Sequence, residues 1–84
     1  MISVIKAKYI NNYRIEIMFS DNLKGVIDLE NTIKNDDRKI FQELKDREKF
    51  SKIKLGMETI IWNNGLDLAP EFLYELLLKQ NKQK

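Results

Sequence analysis

Apolar and polar positions alternate with a period of two through most of the first thirty residues. In residues 4–10, Ile5, Ala7 and Tyr9 fall on one side and Lys6 and Lys8 on the other, the pattern of a strand with one wet face. Asn11-Asn12 follows, and Asn tolerates the positive φ that a two-residue hairpin turn demands. Tyr13, Ile15, Ile17 and Phe19 then alternate with Arg14, Glu16 and Met18, the cleanest strand in the chain. Ser20-Asp21-Asn22 is a second turn cluster. Residues 25–29 predict a third strand, whose Gly25 signals a bulge or a close backbone approach. Residues 3–29 are therefore expected to form an antiparallel meander.

Periodicity fades over residues 30–50, which are expected to form an irregular, partly helical link. Ile40, Phe41 and Leu44 are the apolar points that could pin it to a core. Asp46 is placed to cap a short turn over residues 47–50 by accepting an orphan backbone N–H. A hairpin is predicted over residues 51–62, turning at Gly56-Met57-Glu58. Its second strand, Thr59-Ile60-Ile61-Trp62, is apolar on both faces, as in strands covered on each side.

The hairpin runs into a corner that holds the only Trp and the only Pro of the chain. Asn63-Asn64-Gly65 reverses the backbone, with Gly65 supplying a positive φ at no steric cost. Asp67 is read as the N-cap of a helix over residues 67–80, with Pro70 in its first turn and Glu71 at the positive end of its dipole. Residues 81–84 are expected to fray. Trp62, Asn64, Gly65, Asp67, Pro70 and Glu71 form the structural motif of the chain.

One anomaly stands out on this helix. At about 100° per residue, its apolar side chains from Phe72 to Leu78 spread over roughly 240° of the circumference. A helix lying on a sheet needs a stripe only somewhat wider than about 100°. Leu73, Leu76 and Leu77 can face Trp62 and the sheet, which leaves Tyr74 and Leu78 facing elsewhere. Either the link around Ile40, Phe41 and Leu44 folds over them, or they form a surface for a protein partner or a second copy of the chain. On the second reading the contact residues are Tyr74, Leu78, Phe72 and Trp62.

Composition narrows the chemistry. The 84 residues are 43% hydrophobic and 33% charged, a balance typical of one small globular domain. No apolar run approaches the roughly 20 residues of a spanning helix, and no signal region opens the chain. Cys is absent, which removes disulfides, thiolate metal sites and Cys nucleophiles and suits a cytoplasmic protein. His is absent too, and with it the commonest general base and metal ligand. No cofactor and no metal is expected.

Two further chemistries can be weighed. The basic run Lys45, Arg47, Lys49, Lys52, Lys54 could touch phosphate, but a net charge of +2 and the lack of interleaved aromatics argue for a solvated face. Among the carboxylates Asp28, Asp67 and Glu71, Asp67 and Glu71 could act as an acid–base pair if they converged in a cleft. Capping and dipole compensation account for both without chemistry. Ser20, Ser51 and Thr59 have no His beside them to serve as base.

The chain resembles a family of small bacterial proteins, the domain of unknown function numbered 2442. The likeness rests on Ala7, Tyr9 and Tyr13-Arg14, on Phe19-Ser20-Asp21 leading to Gly25 and Asp28-Leu29, and on Phe41, Leu44, Asp46 and Phe50. Its most specific block is Thr59-Ile60 to Trp62, then Asn64-Gly65, Asp67-Leu68-Ala69-Pro70-Glu71 and Tyr74. Asn22 stands where the family often has Gly, and Leu66 where a small residue is usual. The resemblance implies an α+β fold with no established activity, and members are suspected antitoxin halves of two-gene cassettes. The expectation is thus an antiparallel sheet of about five strands, a meander plus a hairpin, packed against a C-terminal helix. Its expected role is a non-enzymatic protein-interaction module, with nucleic-acid binding and an enzyme using Asp67 and Glu71 as the alternatives.

Overall fold

Alternation in the first thirty residues becomes a three-stranded antiparallel sheet in the computed structural model, which describes residues 1–82. Its strands are β1 (Val4–Asn11), β2 (Arg14–Phe19) and β3 (Lys24–Asp28), in the order β1-β2-β3. Ile15, Ile17 and Phe19 of β2 and Ile27 of β3 are all buried on the inner face. Asn12 and Asn22 take positive φ at the two reversals, as their turn chemistry predicts. Tyr13 lies in the first turn rather than in β2, and its hydroxyl donates to the Lys45 carbonyl at 2.6 Å.

Ile5 departs from the expected alternation. Val4 pairs with Phe19 and Lys6 with Met18, so Ile5 sits at a bulge. The extra residue resets the parity of β1, letting Val4 bury with Phe19 while Ala7 and Tyr9 still face inward. Ile5 is left exposed.

The link is more helical than its sequence suggests. It comprises α1 (Glu30–Lys34), α2 (Lys39–Gln42), a 3-10 turn (Glu43–Lys45) and α3 (Arg47–Ser51). Asp46 caps α3 as expected, its Oδ1 accepting from the Glu48 and Lys49 amides. The hairpin follows as β4 (Ile53–Gly56) and β5 (Thr59–Trp62). Gly56 belongs to β4, and Met57 and Glu58 alone make the turn, both at positive φ, as a two-residue hairpin of the mirror-image type requires. The hairpin is a separate two-stranded sheet. It lies beside β1 and is tied to the meander by the Val4 amide donating to Glu58 O.

β5 is covered by the chain's own return. Trp62 N–H donates to Leu66 O, Asp67 forms a bridge to Ile61, and the Thr59 hydroxyl donates to Leu68 O. Between them Asn63-Asn64-Gly65 closes a three-residue loop, Gly65 having φ of 91°. The final helix, α4, runs Pro70–Lys82. It starts three residues later than the sequence pattern places it, since proline disfavours the α region for the residue before it, here Ala69. It is still helical at Asn81 and Lys82, where fraying was expected; residues 83 and 84 lie outside the described residues.

α4 lies across the inner face of β3 at Gly25, where a Cβ would come within 2.9 Å of Leu77 Cδ1. The close approach signalled by that glycine is thus real. Leu73 and Leu77 are fully buried, worth about 1.5–3 kcal/mol each. Near its end, Gln80 pairs with the free edge of β3: its Oε1 accepts from Asp28 N–H and its Nε2 donates to Asp28 O, both at 2.9 Å. The carboxamide thus imitates a neighbouring strand and blunts the sheet edge.

Asn64 fastens the corner to the link. Its Nδ2 donates to Ile40 O and Glu43 Oε1 at 2.9 Å each, and its Oδ1 accepts from Leu66 N–H at 3.1 Å. At about 0.5–1.5 kcal/mol for each of the three bonds, Asn64→Ala is expected to destabilise the protein by roughly 1.5–4.5 kcal/mol in chemical denaturation. Exposed Asn63 makes no such contacts, so Asn63→Ala should stay within about 0.5 kcal/mol of the parent.

Candidate functional site

The helix wheel resolves the over-wide apolar stripe into a centre, two shoulders and two flanks. Leu73 and Leu77 form the centre and are buried; Leu76 and Tyr74 form the shoulders and are half-buried. Phe72 and Leu78 occupy the flanks, 43% and 39% exposed. They lie about 120° apart on opposite sides of the buried stripe, so the four expected contact residues do not share one surface.

Trp62 is withdrawn from contact by the fold, and Tyr74 is partly covered by it. Trp62 is 2% exposed, with its indole N–H donating to Phe50 O at 2.8 Å. Its ring packs on Phe50, which also stacks edgewise against Tyr9 and Tyr13. Tyr74 is engaged on the meander side, its ring edge-on to Phe19 at 5.0 Å and its hydroxyl donating to Asp21 Oδ2 at 2.6 Å. The cover for Tyr74 comes from the β2–β3 turn, not from the link.

Phe72 faces a groove of about 640 Å³ between the helix start and the link. One wall is the corner itself, Gly65 to Ala69; the other is built by Asn31, Thr32, Asn35 and Asp36, with Arg38 and Ile40. Arg38 is not a free cation there. Its Nε and Nη2 form a fork on Asp36 at 3.0 and 2.8 Å, and its guanidinium lies 4.9 Å from the Phe41 ring centre. That fork holds the Asp36 carboxyl below its ordinary pKa of 3.8 and raises the Arg38 guanidinium above its own. The link wall carries no periodic signal in the sequence, so the groove was not foreseeable. The Asn and Thr residues before an apolar pair were its only trace.

The groove mixes apolar Ile40, Phe41, Leu66 and Leu68 with the amides of Asn31 and Asn35 and the charged Asp36, Arg38 and Asp67. Asp67 and Glu71 are both exposed, and Asp67 does not cap the helix; its backbone bridges Ile61 instead. Among the described residues no three acidic side chains converge as a metal site would need. The Ser51 and Thr59 hydroxyls donate to main-chain carbonyls, and Ser20 Oγ accepts from Ser3 N–H. The basic run is divided: Lys45 and Arg47 border one cleft with Asn12 and Lys34, Lys49 and Lys52 another with Glu43 and Asn63. No helix among the described residues is long and apolar enough to cross a membrane.

Two predictions follow from this geometry. Since Asp67 does not act as a cap, Asp67→Ala should shift stability by less than about 0.5 kcal/mol, where loss of a true cap costs about 1 kcal/mol. The Tyr74 hydroxyl and the Leu23 amide hold the Asp21 carboxyl below 3.8, and the same bond raises the Tyr74 phenol above 10.0. A depressed carboxylate stabilises the fold above pH 3.8, and that contribution is lost as pH falls through the folded value. A raised phenol stabilises the fold below pH 10.0, and that contribution is lost as pH rises through the folded value. In Tyr74→Phe the Asp21 carboxyl, followed by NMR titration, should move up toward 3.8.

Residues 4–77 match the model of a family described as protein of unknown function (DUF2442). No curated protein and no solved structure matches the chain.

Proposed function

This chain belongs to the DUF2442 family, and on that premise we propose that it is a non-enzymatic protein-interaction module whose contact site is the groove beneath Phe72. The observation that carries the reading is Phe72 itself: an aromatic ring, 43% exposed, at the mouth of a groove bordered by the chain's most specific block. Exposed aromatics beside a concave apolar floor are what protein anchors fill. Amide groups of Asn31 and Asn35 along the rim supply the polar contacts that fix orientation. An antitoxin-like role is the finer reading that the resemblance suggests, and on that reading the partner is the product of an adjacent gene. Nothing in the reading requires a catalytic step, a cofactor or a metal.

The test is co-expression of the tagged protein with that gene product. Phe72→Glu is expected to reduce recovery of the partner about tenfold or more, a change of about 1.4 kcal/mol or greater. Leu78→Glu, on the opposite flank, should leave recovery unchanged. Equal recovery with Phe72→Glu, loss with Leu78→Glu alone, or no retained product would each overturn this assignment.

A further inference from the structure

A second surface lies on the outer face of the meander, on the side away from α4. There the cross-strand register sets Lys6 beside Met18 and Met18 beside Lys24, with Lys8 opposite Glu16 one step along. Together with Ile5 and Leu55 these residues line a shallow depression of about 430 Å³. Ile5 reaches it because the bulge in β1 turned that residue out of the inner face, and both Ile5 and Leu55 are nearly half exposed.

The charge of this face is not the charge of an ordinary wet sheet. Its three lysines outweigh Glu16 by two positive charges, as large an excess as that of the whole chain. None of the three has a carboxylate within ion-pair distance among the described residues; the ion pairs present are Arg14–Asp28, Lys34–Glu30 and Arg38–Asp36. A solvated antiparallel face ordinarily interleaves opposite charges across its strands. Here Lys8 still faces Glu16, but Lys6 and Lys24 flank Met18 with no carboxylate opposite either, next to exposed Ile5 and Leu55.

We propose that this outer face binds an acidic amphipathic helix of a protein partner, distinct from whatever occupies the Phe72 groove. Its apolar side would cover Ile5, Met18 and Leu55, and its carboxylates would meet Lys6, Lys8 and Lys24. Spacing agrees with this occupant. Lys6 and Lys8 project from β1 about 7 Å apart, close to the roughly 6 Å rise between acidic residues at i and i+4 of a helix. Phosphate polymers fit less well, because Glu16 lies among the lysines and the depression has no aromatic ring on which a base could stack.

The experiment uses the full chain, isotopically labelled, and a synthetic amphipathic peptide of leucine and glutamate about 15 residues long. The expected result is binding at low salt with NMR shifts centred on Ile5, Met18 and Leu55, weakened steeply as salt is raised. Lys6→Glu with Lys24→Glu should weaken binding about tenfold or more, whereas Phe72→Glu should leave it unchanged. The lysines are exposed, and the shift map on the unaltered chain needs no variant. No binding, equal binding of a leucine–lysine peptide, shifts centred on Phe72, or preference for vesicles of phosphatidylglycerol over the peptide would overturn the proposal.

Discussion

Burying an indole in so small a protein obliges the fold to bring a hydrogen-bond acceptor to its ring nitrogen. Here that acceptor is the carbonyl of Phe50, in the short helix that ends the link. The bond draws α3 onto β5, and Phe50 follows it into the core, where it meets Tyr9, Tyr13 and Trp62. Two residues on, Asn64 repeats the device, reaching back to Ile40 and Glu43. A stretch with no periodicity of its own is thereby held at its middle and at its end by one corner. No buried side-chain polar atom among the described residues lacks a partner.

The same constraint decides which surfaces are free. Once the corner returns along β5, Leu66 and Leu68 are buried and Thr59 is satisfied, so the most specific block of the chain is architectural. What it leaves over is Phe72, stranded at the helix start beside a groove that exists only because the link is fastened opposite. On the far flank, Tyr74 is drawn to the meander by Phe19 and Asp21. The meander in turn offers its helix-free face to solvent, where Lys6 and Lys24 have no carboxylate opposite them in the register and, among the described residues, form no ion pair. Two surfaces of different character thus arise, the one aromatic and amide-rich, the other basic and aliphatic.

Local chemistry made several features legible. Ile15, Ile17 and Phe19 show the inner face of β2 by alternation, Gly25 its contact with the helix, and Asp46 the start of α3 by its capping carboxylate. Each depends on neighbours within a few residues or on a steric rule that holds in any context. Asp67 misled, since a capping residue type stood before an apolar run while its backbone is taken by the bridge to Ile61 and the helix starts only at Pro70. The bulge at Ile5 was invisible, because one inserted residue leaves both registers equally plausible until the partner strand selects one.

By itself, then, the sequence determined an α+β protein: its strands, the corner, and a helix greasier than a single contact requires, all from short-range periodicity and turn chemistry. Only the tertiary structure decided which of those greasy residues remain uncovered. That choice rests on hydrogen bonds spanning 12 to 53 positions, from Trp62 to Phe50 and from Tyr74 to Asp21. Such bonds join residues whose proximity no local pattern encodes, and they form only when the whole chain has closed around its tryptophan.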